Sequence, residues 1–295
     1  MRSRRRRTLL LIVVLAVMGV VAYLSWPRQE TPQPSGPVDL SEVITKVPAA
    51  VAPPGETESS AVAAMLDMAE VGADDFLIDL GSGDGRIPIA AARERGARAL
   101  GVDIDPGRIR VSRSNAQAAG VADRVRFRRQ DLFETPIGEA SVLTLYLSQN
   151  INEQLRPRIL QEMRPGARVV SNTFDMGDWR HDATRLIGGR NIYLWIVPAD
   201  VKGSWTLRQN GRAVPLQLNQ EYQQLTGAVT VAGLRRPIER GLVQGERVRF
   251  VVDLGDGRRL FEGRLEGDRI VPVTGERLSY PVTPATGWVA VRSGE

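Results

Sequence analysis

A chain of 295 residues with no cysteine and a single histidine, His181, offers no disulfide, no thiolate nucleophile and no cysteine- or histidine-built metal centre. Its 42% hydrophobic and 25% charged residues belong to a protein with a real core. Five arginines at positions 2 and 4–7 account for the formal charge of +5, so the remainder has no basic bias and nucleic acid is not an expected partner.

Behind those arginines, residues 9–24 are apolar and carry no charge. A helix there spans roughly 24–28 Å, close to the thickness of a bilayer core. Residues 1–26 therefore read as a basic N-terminus and transmembrane anchor. The rival reading is a cleaved signal peptide, which would have an overlong apolar region and no small-x-small cleavage site. The positive-inside rule keeps the N-terminus of such a single-pass chain cytoplasmic and sends the rest outside. Residues 27–56 hold seven of the 18 prolines and read as a semi-extended linker.

From residue 57 the pattern becomes α/β. The sequence predicts a helix over 59–70, then strands over 76–80, 97–102, 125–128, 141–147 and 168–171. Helices are expected over 88–95, over 107–119 and around 153–163, and a hairpin over 183–197 turning at Gly188-Gly189. Strands alternating with helices imply a doubly wound, Rossmann-like, mostly parallel sheet over 57–199. Short alternating runs then fill 200–295, broken by Asn210-Gly211, Gly255-Asp256-Gly257 and Glu266-Gly267-Asp268. They read as a β-rich accessory module, a small antiparallel sheet or partly open barrel. Trp205, Phe250, Phe261 and Trp288 would form its core or dock it.

The stretch "DLGSGDGR", residues 79–86, follows the apolar run of the first strand. A strand, a glycine turn and a helix put free backbone N–H groups and a positive dipole end against a ligand. Phosphate loops need Gly-Lys-Ser/Thr, which is absent. Dinucleotide folds need G-x-G-x-x-G, and Arg86 stands where the third glycine belongs. Asp79 would repel a pyrophosphate. A cationic ligand without phosphate suits the turn better, and S-adenosylmethionine carries a sulfonium, an amine and a carboxylate. Asp79, Gly81, Ser82, Gly83, Asp84 and Gly85 are then cofactor-binding residues. Asp103 ends the second strand, where it can bind both ribose hydroxyls. Asp131 follows the third, facing the adenine amine, with Ile104 and Leu132 against the ring. Each aspartate alone reads equally as a helix cap or turn residue. Three at the carboxyl ends of consecutive strands read as one site. A nicotinamide cofactor is the weaker alternative, and no metal is expected.

Residues 65–108 resemble a class I S-adenosylmethionine-dependent methyltransferase. "DLF" at 131–133, "YLSQNINEQLRPRIL" at 146–160 and "PGARVVSNTFDMGDW" at 165–179 narrow the resemblance. They are similar to the lineage of mitochondrial lysine methyltransferases that act on the ATP synthase c-subunit and the adenine nucleotide translocase, with their bacterial relatives. The resemblance spans roughly residues 60–200. It implies a seven-strand fold, S-adenosylmethionine as methyl donor and a protein lysine as acceptor, membrane proteins included. Tyr146, at the carboxyl end of the fourth strand, is expected to position substrate or to be a core aromatic with its hydroxyl at the surface. Asn152 lines the site or caps the following helix, and His181 reads as a surface polar residue. Two other functions stay open: a small-molecule or lipid acceptor, and a surface-anchored binding protein without activity. The second follows from topology, because the charge rule places the domain outside while S-adenosylmethionine is cytoplasmic.

Overall fold

Five residues, Phe76–Leu80, form β1, and its last four side chains are buried between neighbouring strands and covering helices. The computed structural model in which they lie describes residues 57–273 and 282–293, all within one compact unit, Pro48–Glu295. The expected anchor (1–26) and linker (27–56) lie outside the described residues. Among the described residues no helix is long and apolar enough to cross a membrane.

Helix α1 (Ser59–Met68) precedes β1, and α2 (Arg86–Arg95) follows it. Helix α2 begins two residues before the predicted start at 88. Gly85 supplies a left-handed cap, and Pro88 falls in the first turn, where a missing N–H costs nothing. Next come β2 (Arg98–Asp103), α3 (Pro106–Ala118) and β3 (Val125–Arg129), then a 3₁₀ turn at Leu132–Glu134. Strand β4 (Val142–Leu145), α4 (Gln149–Glu162) and β5 (Arg168–Asn172) continue the alternation, and β6 (Ala183–Ile187) pairs with β7 (Arg190–Ile196) as the predicted hairpin. Helix α4 starts four residues earlier than the apolar pattern indicated and carries Pro157 inside it.

The seven strands run in the order β3-β2-β1-β4-β5-β7-β6. The first five are parallel, while β7 is antiparallel to β5 and to β6. One face packs Leu77, Val142 and Val170 with residues of α1, α2 and α3. The other packs Ile78, Leu143, Leu145 and Val169 with Ile151, Leu155 and Ile159 of α4. Two covered faces explain why these strands read as apolar runs rather than alternating ones.

The C-terminal part comprises β8 (Gly203–Gln209), β9 (Arg212–Glu221), β10 (Gln224–Val231), β11 (Leu234–Pro237), β12 (Glu239–Gln244), β13 (Arg247–Asp253), β14 (Arg258–Glu266), β15 (Arg269–Pro272), β16 (Thr283–Pro284) and β17 (Trp288–Arg292). Its pairings run β8-β9-β10-β12-β13-β14-β15-β17 and back to β8, with β11 and β16 outside the ring. The expectation of a small antiparallel sheet or partly open barrel is thus corrected: the ring is closed, which removes the exposed edges that an open sheet would carry. Trp205, Phe250, Phe261 and Trp288 are all buried in its interior. The Phe250 and Phe261 rings stack at 5.3 Å.

The contact with the α/β part falls to residues outside that set. Trp179 stacks on Tyr222 at 6.1 Å, the Arg156 guanidinium lies 5.5 Å over the Tyr222 ring, and Gln223 donates to the Arg180 carbonyl. Ala199 N–H donates to the Gly245 carbonyl at 2.8 Å.

Candidate active site

Strand β1 delivers Asp79 to its carboxyl end with only 3% of the residue exposed. Its Oδ1 accepts a 2.7 Å hydrogen bond from Thr144 Oγ1 on β4. Burial pushes the carboxyl up to about 7, the charges of Asp103 and Asp84 add to the rise, and the Thr144 hydrogen bond opposes it. A buried carboxylate in this condition is stabilised by any cation placed beside it.

The turn after β1 is tied to β2. The N–H groups of Gly81 and Ser82 both donate to the Val102 carbonyl, at 2.9 and 2.8 Å. Gly83 N–H donates to Asp103 Oδ2 at 3.0 Å, and Asp103 Oδ1 accepts from Asp105 N–H at 2.9 Å. Two glycines here have distinct reasons. A Cβ on Gly85 would lie 2.5 Å from Cζ of Phe127, so α2 approaches β3 only because that atom is missing. A Cβ on Gly83, where φ is 56°, would meet nothing within 4 Å. The Ser82 hydroxyl is buried without a partner. A carboxylate suited to a cation, an unpaired hydroxyl and open space over a glycine fit the amine, the polar groups and the bulk of S-adenosylmethionine.

The remaining predicted cofactor residues divide. Ile104, directly after Asp103, is 49% exposed, an apolar surface placed where the adenine ring is expected. Leu132 is half-buried, and Asp131 Oδ1 accepts from Phe133 N–H at 2.8 Å, capping the 3₁₀ turn. Asp84 is gripped by Arg86 at 2.6 Å, and Arg86 also donates to the Thr57 carbonyl. Burial raises the Asp84 carboxyl, but the hydrogen bonds and charge of Arg86 outweigh it and hold the group below the usual range. A cleft of about 520 Å³ borders Asp84, Ser59, Ile89 and Asn115 on the helical side. None of Asp79, Gly81 or Asp103 lines it, and of the predicted cofactor residues only Asp84 does.

Tyr146 follows β4, half-buried, and its hydroxyl accepts from Arg190 Nη1 at 3.2 Å. Asn152 is fully buried one turn inside α4, whose cap position is held by Ser148. Its Nδ2 donates to Ser171 Oγ at 3.1 Å and to the carbonyls of Phe174 and Asp175 at 3.1 and 3.2 Å. Asn152 thus clamps α4 to the segment after β5, while its Oδ1 has no partner. His181 is half-buried with its ring 5.1 Å from that of Tyr193. Thr144 and Arg190 are not among the sequence candidates, and Asn172 stands in the family-like stretch 165–179 without an assigned role. Asn172 ends a buried strand at the edge where α/β sheets bind ligands, and that position was the available signal.

Residues 79–183 match the family described as the ANTKMT methyltransferase domain. Over 146 residues the chain is 38% identical to a protein-lysine N-methyltransferase of Saccharolobus islandicus, covering 48% of this chain and 91% of that protein. It is 33% identical over 129 residues to the mouse adenine nucleotide translocase lysine N-methyltransferase, covering 43% of this chain and 54% of the mouse protein. The chain therefore spans about half the length of that second relative. Among solved structures it is similar to an RNA methyltransferase from Salinibacter ruber in complex with S-adenosyl-L-homocysteine. That match has 48% identity and a TM-score of 0.49, and it covers 50% of this chain and 96% of the other.

Proposed function

Since this chain belongs to the ANTKMT methyltransferase family, we propose that it transfers the methyl group of S-adenosylmethionine to the ε-amine of a lysine in a protein acceptor. The observation that carries the reading is the buried Asp79 carboxylate beside a turn in which Gly83 faces open space. Asp79 would meet the donor's amine, Ser82 and Gly83 its polar flank, Asp103 the ribose hydroxyls and Ile104 the adenine face. The donor supplies a methyl group already activated on a sulfonium. What the protein must add is alignment, exclusion of water and a neutral acceptor. Deprotonating a lysine at neutral pH costs roughly 4–5 kcal/mol, and orientation can offset more than that. No acid–base dyad is required by this chemistry.

Incubating the protein with tritium-labelled donor and cell fractions, then hydrolysing the products to amino acids, tests the acceptor. Methyl-lysine is the expected product. Label confined to an organic extract or to RNA would overturn the lysine reading. Calorimetry with S-adenosylmethionine and with NAD tests the cofactor, and binding of NAD alone would overturn it.

The apolar run at 9–24 supports a second element of the proposal, a single-pass anchor that holds the enzyme beside membrane-protein acceptors. Donor supply favours a cytoplasmic catalytic domain, against the charge rule. A C-terminal alkaline phosphatase fusion that is active would overturn the cytoplasmic placement, and an active fluorescent-protein fusion would support it.

A further inference from the structure

The pairing registers place four residues of the site in one line across the sheet. Leu80 pairs with Val102 of β2 and with Leu145 of β4, and Leu145 pairs with Ser171 of β5. One residue further along each strand come Asp103, Gly81, Tyr146 and Asn172, in that order across the carboxyl edge. Neighbouring strands are about 4.8 Å apart, so each step is roughly the length of a few bonds. Side-chain alternation puts Tyr146 on the face of Val142, and Asn172 on the face of Val170. Both therefore face the same side. Ser171, with its partner Asn152, faces the other.

Asn172 is fully buried, and its Nδ2 has no partner. Its Oδ1 accepts from Thr173 Oγ1 at 3.1 Å. A hydroxyl both donates and accepts, so Thr173 satisfies either end of the amide after a half-turn about χ2. With the amide turned over in this way, Thr173 accepts from Nδ2 and the carbonyl oxygen becomes the open end. A buried amide end without a partner is rare in native proteins and calls for a ligand or water.

We propose that Tyr146 and Asn172 form the seat of the acceptor amine, an inference that rests on the methyl-transfer reading above. A neutral primary amine has two N–H bonds and one lone pair. The phenol oxygen of Tyr146 takes one N–H and the amide oxygen of Asn172 the other, which leaves the lone pair directed at the donor. That pair forms the new N–C bond as the C–S bond breaks and its electrons go to sulfur, leaving S-adenosylhomocysteine. The resulting ammonium releases its proton to water. Arg190 is a positioning residue, because its guanidinium reaches across β5 and donates to the phenol oxygen. Asn152, the asparagine singled out in the sequence, lies on α4 and clamps that helix to the segment after β5.

Sinefungin tests the seat without knowledge of the acceptor, because it carries a primary amine in place of the methylsulfonium. Titration calorimetry of the full chain compares it with S-adenosylhomocysteine, which lacks that amine. Asn172→Leu is expected to weaken sinefungin at least tenfold while S-adenosylhomocysteine changes less than threefold. Asn172→Asp, nearly isosteric, is expected to strengthen sinefungin at least threefold. Equal changes for both ligands, or none for either, would overturn the seat. If the leucine variant does not fold, the aspartate variant decides: a sinefungin affinity no tighter than wild type overturns the proposal. Wild-type protein that binds neither ligand removes the donor reading, and the seat with it. Ligand discrimination as expected but without lysine methylation would move only the acceptor class.

Discussion

Thr144 Oγ1 lies 2.7 Å from Oδ1 of Asp79, and the two residues sit opposite each other in the β1–β4 register. This hydrogen bond lowers the carboxyl, but burial dominates and leaves it at about 7. Asp79 is thus raised in the folded state above its unfolded value. Its contribution to the stability of the unliganded protein is complete below about pH 4 and is lost as pH rises through about 7. The Asp79→Asn variant should gain at least about 4 °C in Tm over wild type at pH 8, and gain little at pH 4. Its donor affinity should fall at least tenfold. In wild type, donor affinity should rise as pH passes through about 7, because the cation binds the ionised carboxylate. Scanning and titration calorimetry across pH 5–8.5 check both, and a pH-independent affinity would remove Asp79 from the amine site.

Gly83→Ala and Gly85→Ala should separate function from packing. At Gly83 the added methyl group enters open space, so the protein should fold with a loss of about 1 kcal/mol from the left-handed backbone. Donor affinity should drop at least tenfold. At Gly85 the methyl group collides with Phe127 and Ser112, and a loss of roughly 2–4 kcal/mol is expected. Denaturant unfolding paired with titration of S-adenosylhomocysteine distinguishes the two.

Asn152→Ala removes three hydrogen bonds between α4 and the 171–175 segment. A loss of about 2–3 kcal/mol follows if each contributes about 1 kcal/mol. S-adenosylhomocysteine affinity should stay within threefold, since no predicted cofactor residue touches that amide. A variant of wild-type stability would show that the clamp contributes nothing.

Tyr222→Ala uncovers Trp179 at the junction with the barrel. Tm should fall by about 4–8 °C, and donor affinity should be unchanged within threefold. Loss of donor binding from a folded variant would show that the barrel shapes the cofactor site.

The β1-turn-α2 unit was legible because its signals are local: an apolar run, dense glycine and a carboxylate at a strand end. Ile104, one residue past Asp103, is an exposed apolar side chain at the same strand end. The start of α4 was not, because residues 149–154 are mostly polar and hide the helical period. Proline at 157 also argues for a break that the tertiary packing of Ile151, Leu155 and Ile159 overrides. Arg190 reaches Tyr146 across β5 through the antiparallel return of β7, which no linear spacing announces. Asn152 and Asn172 illustrate the same limit. Which asparagine has an open amide end at the strand edge depends on side-chain direction, and that is settled only when α4 packs against β5.

Closure of the barrel also has a kinetic meaning. Its last pairing joins Trp288 to Gln209, so loop entropy must be overcome across most of the β-rich part before the ring is complete. The parallel sheet with its glycine turn is finished far earlier along the chain. During synthesis the α/β part emerges first, with Trp179 waiting for its Tyr222 cover. A nascent chain halted between those residues would leave that indole without its Tyr222 cover, which makes Trp179 fluorescence a reporter of late folding.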